Sequence, residues 1–313
     1  MKKAGIFLIS LVGVLVLVFT SSFVYHRIQL SKEKNLFVPN GQMVEVNGEQ
    51  LHVYVEGNGK DTLVFLSGGG TSSPVLDFKT LYSQLSDRYQ IAVVEKFGYG
   101  FSDITDSSRN IDVILSETRE ALAKAGVKAP YVLMPHSMSG IEALYWARLY
   151  PNEVKAIIGL DMAVPETYDH YKVNLPLIHL SAFAAHIGIP RWIPSLATND
   201  AIKHGNLTEE EKELYRAVLY RRTLTKTMVN EVSLVESNAK RVQETKSADV
   251  PILLFSSNGD GTGMDQNEWI NIQREFVDKA NNRKLIKLDC SHSIHNLKYD
   301  RIAKKSAEFI DSL

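Results

Sequence analysis

A serine stands where a buried strand is predicted to end and a helix to begin. Residues 131–140 read Tyr-Val-Leu-Met-Pro-His-Ser-Met-Ser-Gly, which matches the turn G-x-S-x-G except that Pro135 and Ser139 replace the glycines. Such a turn projects the hydroxyl of Ser137 above the sheet, and the N–H of Met138 can stabilise an oxyanion. Proline keeps the backbone extended but supplies no N–H, so an ordinary strand-to-helix turn is the alternative interpretation.

A glycine-rich turn follows the predicted strand Thr62–Leu66. Residues 67–71 read Ser-Gly-Gly-Gly-Thr, and a run of glycines lets the backbone turn sharply and offer an N–H to a ligand. We expect Gly69 to be the second oxyanion donor, with a flexible turn as the alternative. A phosphate loop is excluded because no Gly-Lys-Ser/Thr follows.

His292 lies in the loop between the last predicted strand and the final helix. From there it can reach the serine and act as a general base. The alternative is a metal site built from four nearby residues: Asp289, Cys290, His292 and His295. No second ligand cluster or metalloprotease motif accompanies them, so we expect neither a metal nor a cofactor. His295 is predicted to be a satisfied polar residue.

An acid is needed to hold the imidazole tautomer and to stabilise the imidazolium. Residues 256–265 read Ser-Ser-Asn-Gly-Asp-Gly-Thr-Gly-Met-Asp after the predicted strand Ile252–Phe255, and their glycines would let the loop carry Asp260 toward the histidine. We predict Asp260 as the acid. Asp265 and Asp161, which ends an earlier strand, are the competitors.

The elements that must position these residues alternate between short apolar strands and helices. This alternation predicts an α/β fold, with a mostly parallel twisted sheet covered by helices on both faces. A hairpin around Asn47-Gly48 precedes it. The predicted strands are Met43–Val46, Leu51–Val55, Thr62–Leu66, Ile91–Val94, Tyr131–Met134, Val154–Leu160, Ile252–Phe255 and Lys284–Leu288. The predicted helices are Val75–Leu85, Ile111–Ala125, Gly140–Leu149, Asn267–Ala280 and Ile302–Ile310.

The alternation stops between residues 165 and 248, where no strand-like run occurs and residues 208–244 have helical periodicity. We predict that 165–248 is a helical cap over the sheet edge where ligands bind, and that 43–164 and 249–313 form the core. The apolar segment Leu175–Leu196 is expected to line a pocket, to touch a bilayer or simply to pack the cap.

The N-terminus carries an apolar run long enough to span a membrane. No charged residue occurs from residue 4 to residue 25, and about 20 such residues cross a bilayer. We predict a single-pass anchor over 1–28, in contact with lipid through 4–25, followed by a polar tether over 29–42. The remaining chain is predicted to lie outside the cytoplasm, and secretion after signal cleavage is the alternative.

Composition removes other classes of protein. The 35 basic and 36 acidic residues nearly cancel, and no basic block interleaved with aromatics is present, so we expect no nucleic-acid partner. A single cysteine excludes an internal disulfide framework.

Serine, acid and histidine occur in that order, each just after its own predicted strand, with the glycine turn upstream. In this arrangement the chain resembles the α/β-hydrolase family from Met43 to the C-terminus. Residues 95–103, Glu-Lys-Phe-Gly-Tyr-Gly-Phe-Ser-Asp, look like the family's Asp-Arg-x-Gly-x-Gly-x-Ser loop, with Glu and Lys as departures. The resemblance implies structural roles for Gly98, Gly100 and Ser102.

The resemblance also implies a serine hydrolase that cleaves a small ester or related acyl substrate through an acyl-enzyme. Epoxide hydrolases and haloalkane dehalogenases of this fold have aspartate where this chain has Ser137. The motif Ser-Gly-Gly-Gly-Thr departs from the His-Gly-Gly-Pro-Gly of proline iminopeptidases. A non-catalytic binding or signalling protein, a triad-based lyase and a peptidase remain alternatives.

Overall fold

The structure, a computed structural model, describes residues 2–246 and 249–313. Met1 of the predicted anchor and the predicted end of the cap at Ala248 lie outside the described residues. The described strands are β1 (Gln42–Val46), β2 (Glu49–Glu56), β3 (Thr62–Leu66), β4 (Gln90–Glu95), β5 (Tyr131–Pro135), β6 (Val154–Leu160), β7 (Ile252–Ser256) and β8 (Arg283–Lys287).

These strands form one sheet in the order β1-β2-β4-β3-β5-β6-β7-β8. The pairs β1–β2 and β2–β4 are antiparallel, and every later pair is parallel. The turn between β1 and β2 is built by Asn47 and Gly48, both at positive φ, as an Asn-Gly hairpin turn requires. The predicted fold class is therefore confirmed.

Helices cover both faces of the sheet because its inner strands are apolar on both faces. Alternate residues of β3 belong to different layers: Val64 and Leu66 pack on one face, and Leu63 and Phe65 on the other. The helices of the core are α2 (Pro74–Tyr82), α3 (Ile111–Lys124), α4 (Gly140–Leu149), α11 (Gln266–Asp278), α12 (Ile294–Leu297) and α13 (Tyr299–Asp311).

Between β6 and β7 the described residues contain helices and no strand. The α-helices of this segment are α5 (Thr167–His170), α6 (Leu175–His186), α7 (Asp200–His204), α8 (Glu209–Arg222), α9 (Lys226–Ser233) and α10 (Val235–Gln243). Short 3-10 helices occur in both parts of the chain, at Glu33–Asn35, Ser137–Ser139, Pro151–Glu153, Ile189–Arg191 and Pro194–Ala197. We use "cap" for the segment from α5 to α10.

Helix α1 (Lys2–Lys32) carries the apolar run, and it is long and apolar enough to cross a membrane. The first part of the predicted tether is helical and contacts the cap. Residues 29–32 continue the helix, and Glu33 forms a two-pronged ion pair with Arg191 of the cap at 2.6 and 2.7 Å. The tether prediction missed this because polar residues in a helical register can bind a neighbouring element as well as solvent.

Candidate active site

Ser137 lies at a sharp turn between β5 and α4. Its φ is +53°, a left-handed conformation that is costly for any residue with a side chain. Two glycines allow the close packing around it. A Cβ on Gly68 would lie 2.8 Å from the Cβ of Ser137, and one on Gly140 would lie 2.1 Å from the carbonyl oxygen of Ala163. The backbone strain at a half-buried serine is what the predicted elbow requires.

The two departures from the G-x-S-x-G pattern are accommodated. Pro135 ends β5, and the ladder to β6 runs only to Leu133 before one further bridge at His136, so the missing N–H falls in a gap of the ladder. The Oγ of Ser139 lies 2.7 Å from the carbonyl oxygen of Leu66 and 2.8 Å from that of His136, so that its single O–H is shared between these two acceptors. This hydroxyl ties the turn to the end of β3.

His292 is paired with Asp161. Its Nδ1 lies 2.6 Å from Oδ2 of Asp161, which directly follows β6 and is itself at a positive φ of 48°. The side chain of Asp161 is fully buried, whereas that of His292 is 15% exposed. An acid held against Nδ1 fixes the ring so that Nε2 is left for proton transfer.

Three donors surround the other oxygen of Asp161. Its Oδ1 accepts from the N–H of Ser257 at 2.8 Å, from Nε1 of Trp269 at 2.9 Å and from Nε2 of Gln273 at 3.2 Å. Burial alone raises the pKa of a carboxyl group, but the His292 pair and the Ser257 hydrogen bonds outweigh it and hold the pKa of Asp161 below its usual value. This carboxylate therefore stays ionised beside the histidine.

Asp260, the acid predicted from the sequence, does not take this position. It is exposed, and it contacts His292 through its backbone carbonyl, which accepts the His292 N–H at 2.8 Å. Asp265 is also exposed and caps α11 by accepting from the N–H groups of Asn267 and Glu268. The glycine-rich loop made Asp260 the prediction from the sequence, because glycines would let that loop reach the histidine. In the structure Asp161 holds the His292 ring instead, since it lies at the buried end of β6. The sequence signal was a carboxylate directly after an apolar strand.

A cavity of about 240 Å³ opens beside Ser137. Its wall includes both predicted oxyanion donors, Gly69 and Met138, together with Ile178 of α6 and Trp269, whose ring meets that of His292 edge-on at 5.6 Å. The cavity thus joins the serine turn, the glycine turn and the cap, and Trp269 connects its wall to His292.

Two further histidines extend from His292, with His136 against its ring and His295 against the ring of His136. The rings of His136 and His292 are 4.6 Å apart, and Nε2 of His295 lies 2.9 Å from Oδ2 of Asp77. Burial, followed by the charges of His295 and His292, lowers the pKa of His136 well below its usual value, so this ring is neutral. His295 is buried and has a carboxylate partner, as expected for a structural histidine.

The alternative metal site does not assemble among the described residues. They contain no group of three or more His, Cys, Asp or Glu side chains placed to hold an ion. Burial raises the pKa of the Cys290 thiol to about 11, which opposes the thiolate that a metal requires.

The Glu95 loop has the predicted structural role. Gly98 and Gly100 are at positive φ, and Ser102 bonds the Glu95 carbonyl through its hydroxyl. The Glu95 carboxylate accepts the N–H of Phe101 at 2.7 Å. A Cβ on Gly100 would fall within 1.8 Å of that carboxylate, so only glycine fits here.

The fold and this site define an α/β hydrolase, and the chain belongs to the α/β-hydrolase fold family. The model of that family matches residues 61–183. YbdG, an uncharacterized protein of Bacillus subtilis (strain 168), is 38% identical over 319 residues, which cover 99% of this chain and 97% of the relative.

Solved structures share the fold at low sequence identity. An epoxide hydrolase from Vigna radiata is 19% identical with a TM-score of 0.70, over 87% of this chain and 97% of that one. A candidate lipase from Acinetobacter baumannii AYE is 14% identical with a TM-score of 0.64, over 92% and 96%. Membership of this family supports a hydrolytic function.

Proposed function

We propose that this protein is a serine hydrolase that cleaves an ester or related acyl substrate, with Ser137 as nucleophile, His292 as general base and Asp161 as the acid. The observation that carries the proposal is the 2.6 Å pair between His292 and buried, ionised Asp161 beside the strained turn of Ser137. A serine without an adjacent base is a weak nucleophile.

In this mechanism His292 takes the hydroxyl proton as the Ser137 oxygen bonds to the acyl carbon. The N–H groups of Gly69 and Met138 bind the oxyanion, and the leaving alcohol receives the proton from His292. Water activated by the same histidine then hydrolyses the acyl-enzyme. Asp161 holds the ring and stabilises its cationic form throughout.

Labelling with a fluorophosphonate probe tests this mechanism, because the probe reacts with activated serines. We expect the full chain in detergent to be labelled, and we expect Ser137→Ala and His292→Ala to abolish labelling. Ser233→Ala, which removes an exposed hydroxyl on α9, should leave labelling unchanged. A folded wild-type chain that takes no label would contradict the acyl-enzyme and favour a binding or signalling role.

A further inference from the structure

The outer face of α6 is apolar although it faces away from the protein. Leu177, Leu180 and Phe183 are 57%, 64% and 51% exposed, and the helix contains no Asp, Glu, Lys or Arg. Exposed apolar patches of this kind mark contact with another molecule or with a membrane. The inward face of α6 contacts the candidate site, since Ile178 lines the cavity beside Ser137.

Helix α6 packs along the last part of the apolar run of α1. The ring of Phe183 meets Phe19 edge-on at 6.3 Å, and His186 lies 5.6 Å from Phe23. Phe19 and Tyr25 are six residues apart, or about 9 Å along the helix axis. When α1 spans a bilayer whose surface lies at Tyr25, the contacts with Phe19 and Phe23 place α6 within about 9 Å of that surface, which is the depth that interfacial helices occupy.

Aromatic and polar side chains surround the next part of α1, toward its C-terminal end. Trp192 is 58% exposed, packs against Tyr25 at 5.0 Å and donates from Nε1 to the Ser22 hydroxyl at 2.9 Å. Tryptophan and tyrosine are enriched where a bilayer meets water. Arg191, the residue before Trp192, is paired with Glu33.

A basic cleft lies at the same end of α1, between that helix and the cap. It encloses about 640 Å³, and no Asp or Glu is among its described lining residues. Arg27, Arg221 and Arg222 line it, and none of the three has an ion-pair partner among the described residues. Arg221 and Arg222 donate to the backbone carbonyls of Leu30 and Gly100, which hold their positive charges beside α1. Cationic side chains beside a membrane span suit the anionic surface of a lipid leaflet.

We propose that α6 and the segment to Leu196 are seated in the bilayer beside the end of α1, so that the cavity of Ser137 takes an amphiphilic acyl substrate from the membrane. The exposed face of α6 is thus in contact with lipid. This part of the proposal rests on the contacts between α6 and α1. The substrate class rests in addition on the proposed function.

Quenching of tryptophan fluorescence by brominated phosphatidylcholine tests the seating in the full chain reconstituted into vesicles. The background variant is Trp192→Phe, since Trp146 and Trp269 are buried. Adding Leu180→Trp places a probe on the outer face of α6. Adding Lys60→Trp instead gives the matched control. Lys60 is exposed and lies just before the amino end of β3, whereas the site lies beyond the carboxyl ends of the strands.

We expect brominated lipid to reduce the added fluorescence at position 180 about twofold or more, with little effect at position 60. Quenching at position 180 by aqueous iodide, with no lipid effect above the control, would overturn the seating. Protection from both quenchers would also overturn it, because it would show that a second copy covers α6.

The substrate class is tested with two fluorophosphonates, one short and soluble and one long-chain and held in vesicles. The variant Leu180→Asp/Phe183→Asp should keep its labelling by the soluble probe and lose about tenfold in labelling by the long-chain probe. Leu149→Asp, an exposed site on α4, is the control. Unchanged long-chain labelling would overturn this substrate class. Absence of labelling by both probes in the wild type would instead reject the proposed function, and the quenching result would be unaffected.

Discussion

At the scale of single residues, a substitution of Asp161 is the most direct test of its proposed role as the acid. Asparagine at this position keeps an oxygen for the donors of Ser257, Trp269 and Gln273, but it cannot hold a cationic His292. We therefore expect Asp161→Asn to fold and to lose about 10³-fold or more in the rate of fluorophosphonate labelling. Initial labelling rates, compared with the thermal midpoint of each variant, measure this.

Asp260→Asn is the matched control, because Asp260 contacts His292 only through its backbone carbonyl. Its labelling rate should stay within about twofold of the wild type. The opposite ranking of the two variants would return the role of the acid to Asp260 and show that its loop rearranges when substrate binds.

At the scale of elements, the sequence predicted the sheet well because apolar periodicity reports burial directly. The strand bounds at Thr62–Leu66 and Val154–Leu160 are the same in the structure, and β8 is shifted by one residue. Helix α2 ends at Tyr82, three residues before the prediction, because Leu85 continues the apolar pattern from a turn. Periodicity cannot distinguish these two conformations at a helix end.

The acid and the role of the tether could not be obtained in this way. Both depend on which distant segments meet, as Asp161 meets His292 and Glu33 meets Arg191. The strand order that brings β6 to the histidine loop is a property of the assembled sheet. Local sequence chemistry therefore identified Ser137 and His292 as the candidate nucleophile and base but did not identify the acid.

A buried ion pair joins the cap to the core. Lys96, which follows β4, is paired with Glu231 of α9, and its Nζ lies 4.0 Å from Glu142 of α4; all three residues are buried. Replacing Glu231 leaves Lys96 with only the longer contact to Glu142, and a buried charge that loses its main partner costs up to about 3–5 kcal/mol. We expect that loss in the free energy of unfolding of Glu231→Leu, measured by urea denaturation in detergent.

The triple variant Lys96→Met/Glu142→Gln/Glu231→Leu should recover most of that loss, because it removes all three charges of the cluster and keeps an acceptor for Thr118. Glu236→Leu, which breaks the exposed pair with Lys172, should change stability by less than about 1 kcal/mol. Equal effects of Glu231→Leu and Glu236→Leu would mean that water reaches the Lys96 pair and that it does not fasten the cap.

At the scale of the whole molecule, α1 is packed against the cap as well as being a candidate membrane span. Ser22 and His26 are buried, the Ser22 hydroxyl donates to the Ile187 carbonyl at 2.7 Å, and Arg191 donates to Nδ1 of His26 at 2.8 Å. A chain that begins at Leu36 loses these bonds and the pair with Glu33. Since each such bond contributes about 1 kcal/mol and the ion pair more, we expect a loss of roughly 3 kcal/mol.

For a chain of this size that loss lowers the thermal midpoint by several degrees, roughly 2–4 °C for each kcal/mol. A chain that begins at Phe19 is the matched comparison, because it lacks most of the apolar run but keeps Ser22, His26 and Glu33. In one detergent, it should melt with the full chain, while the chain from Leu36 melts lower. If the two truncated chains melt together, the docking of α1 contributes nothing to the fold. In that case α1 acts only as a tether, and the depth of α6 has to be established by lipid quenching alone.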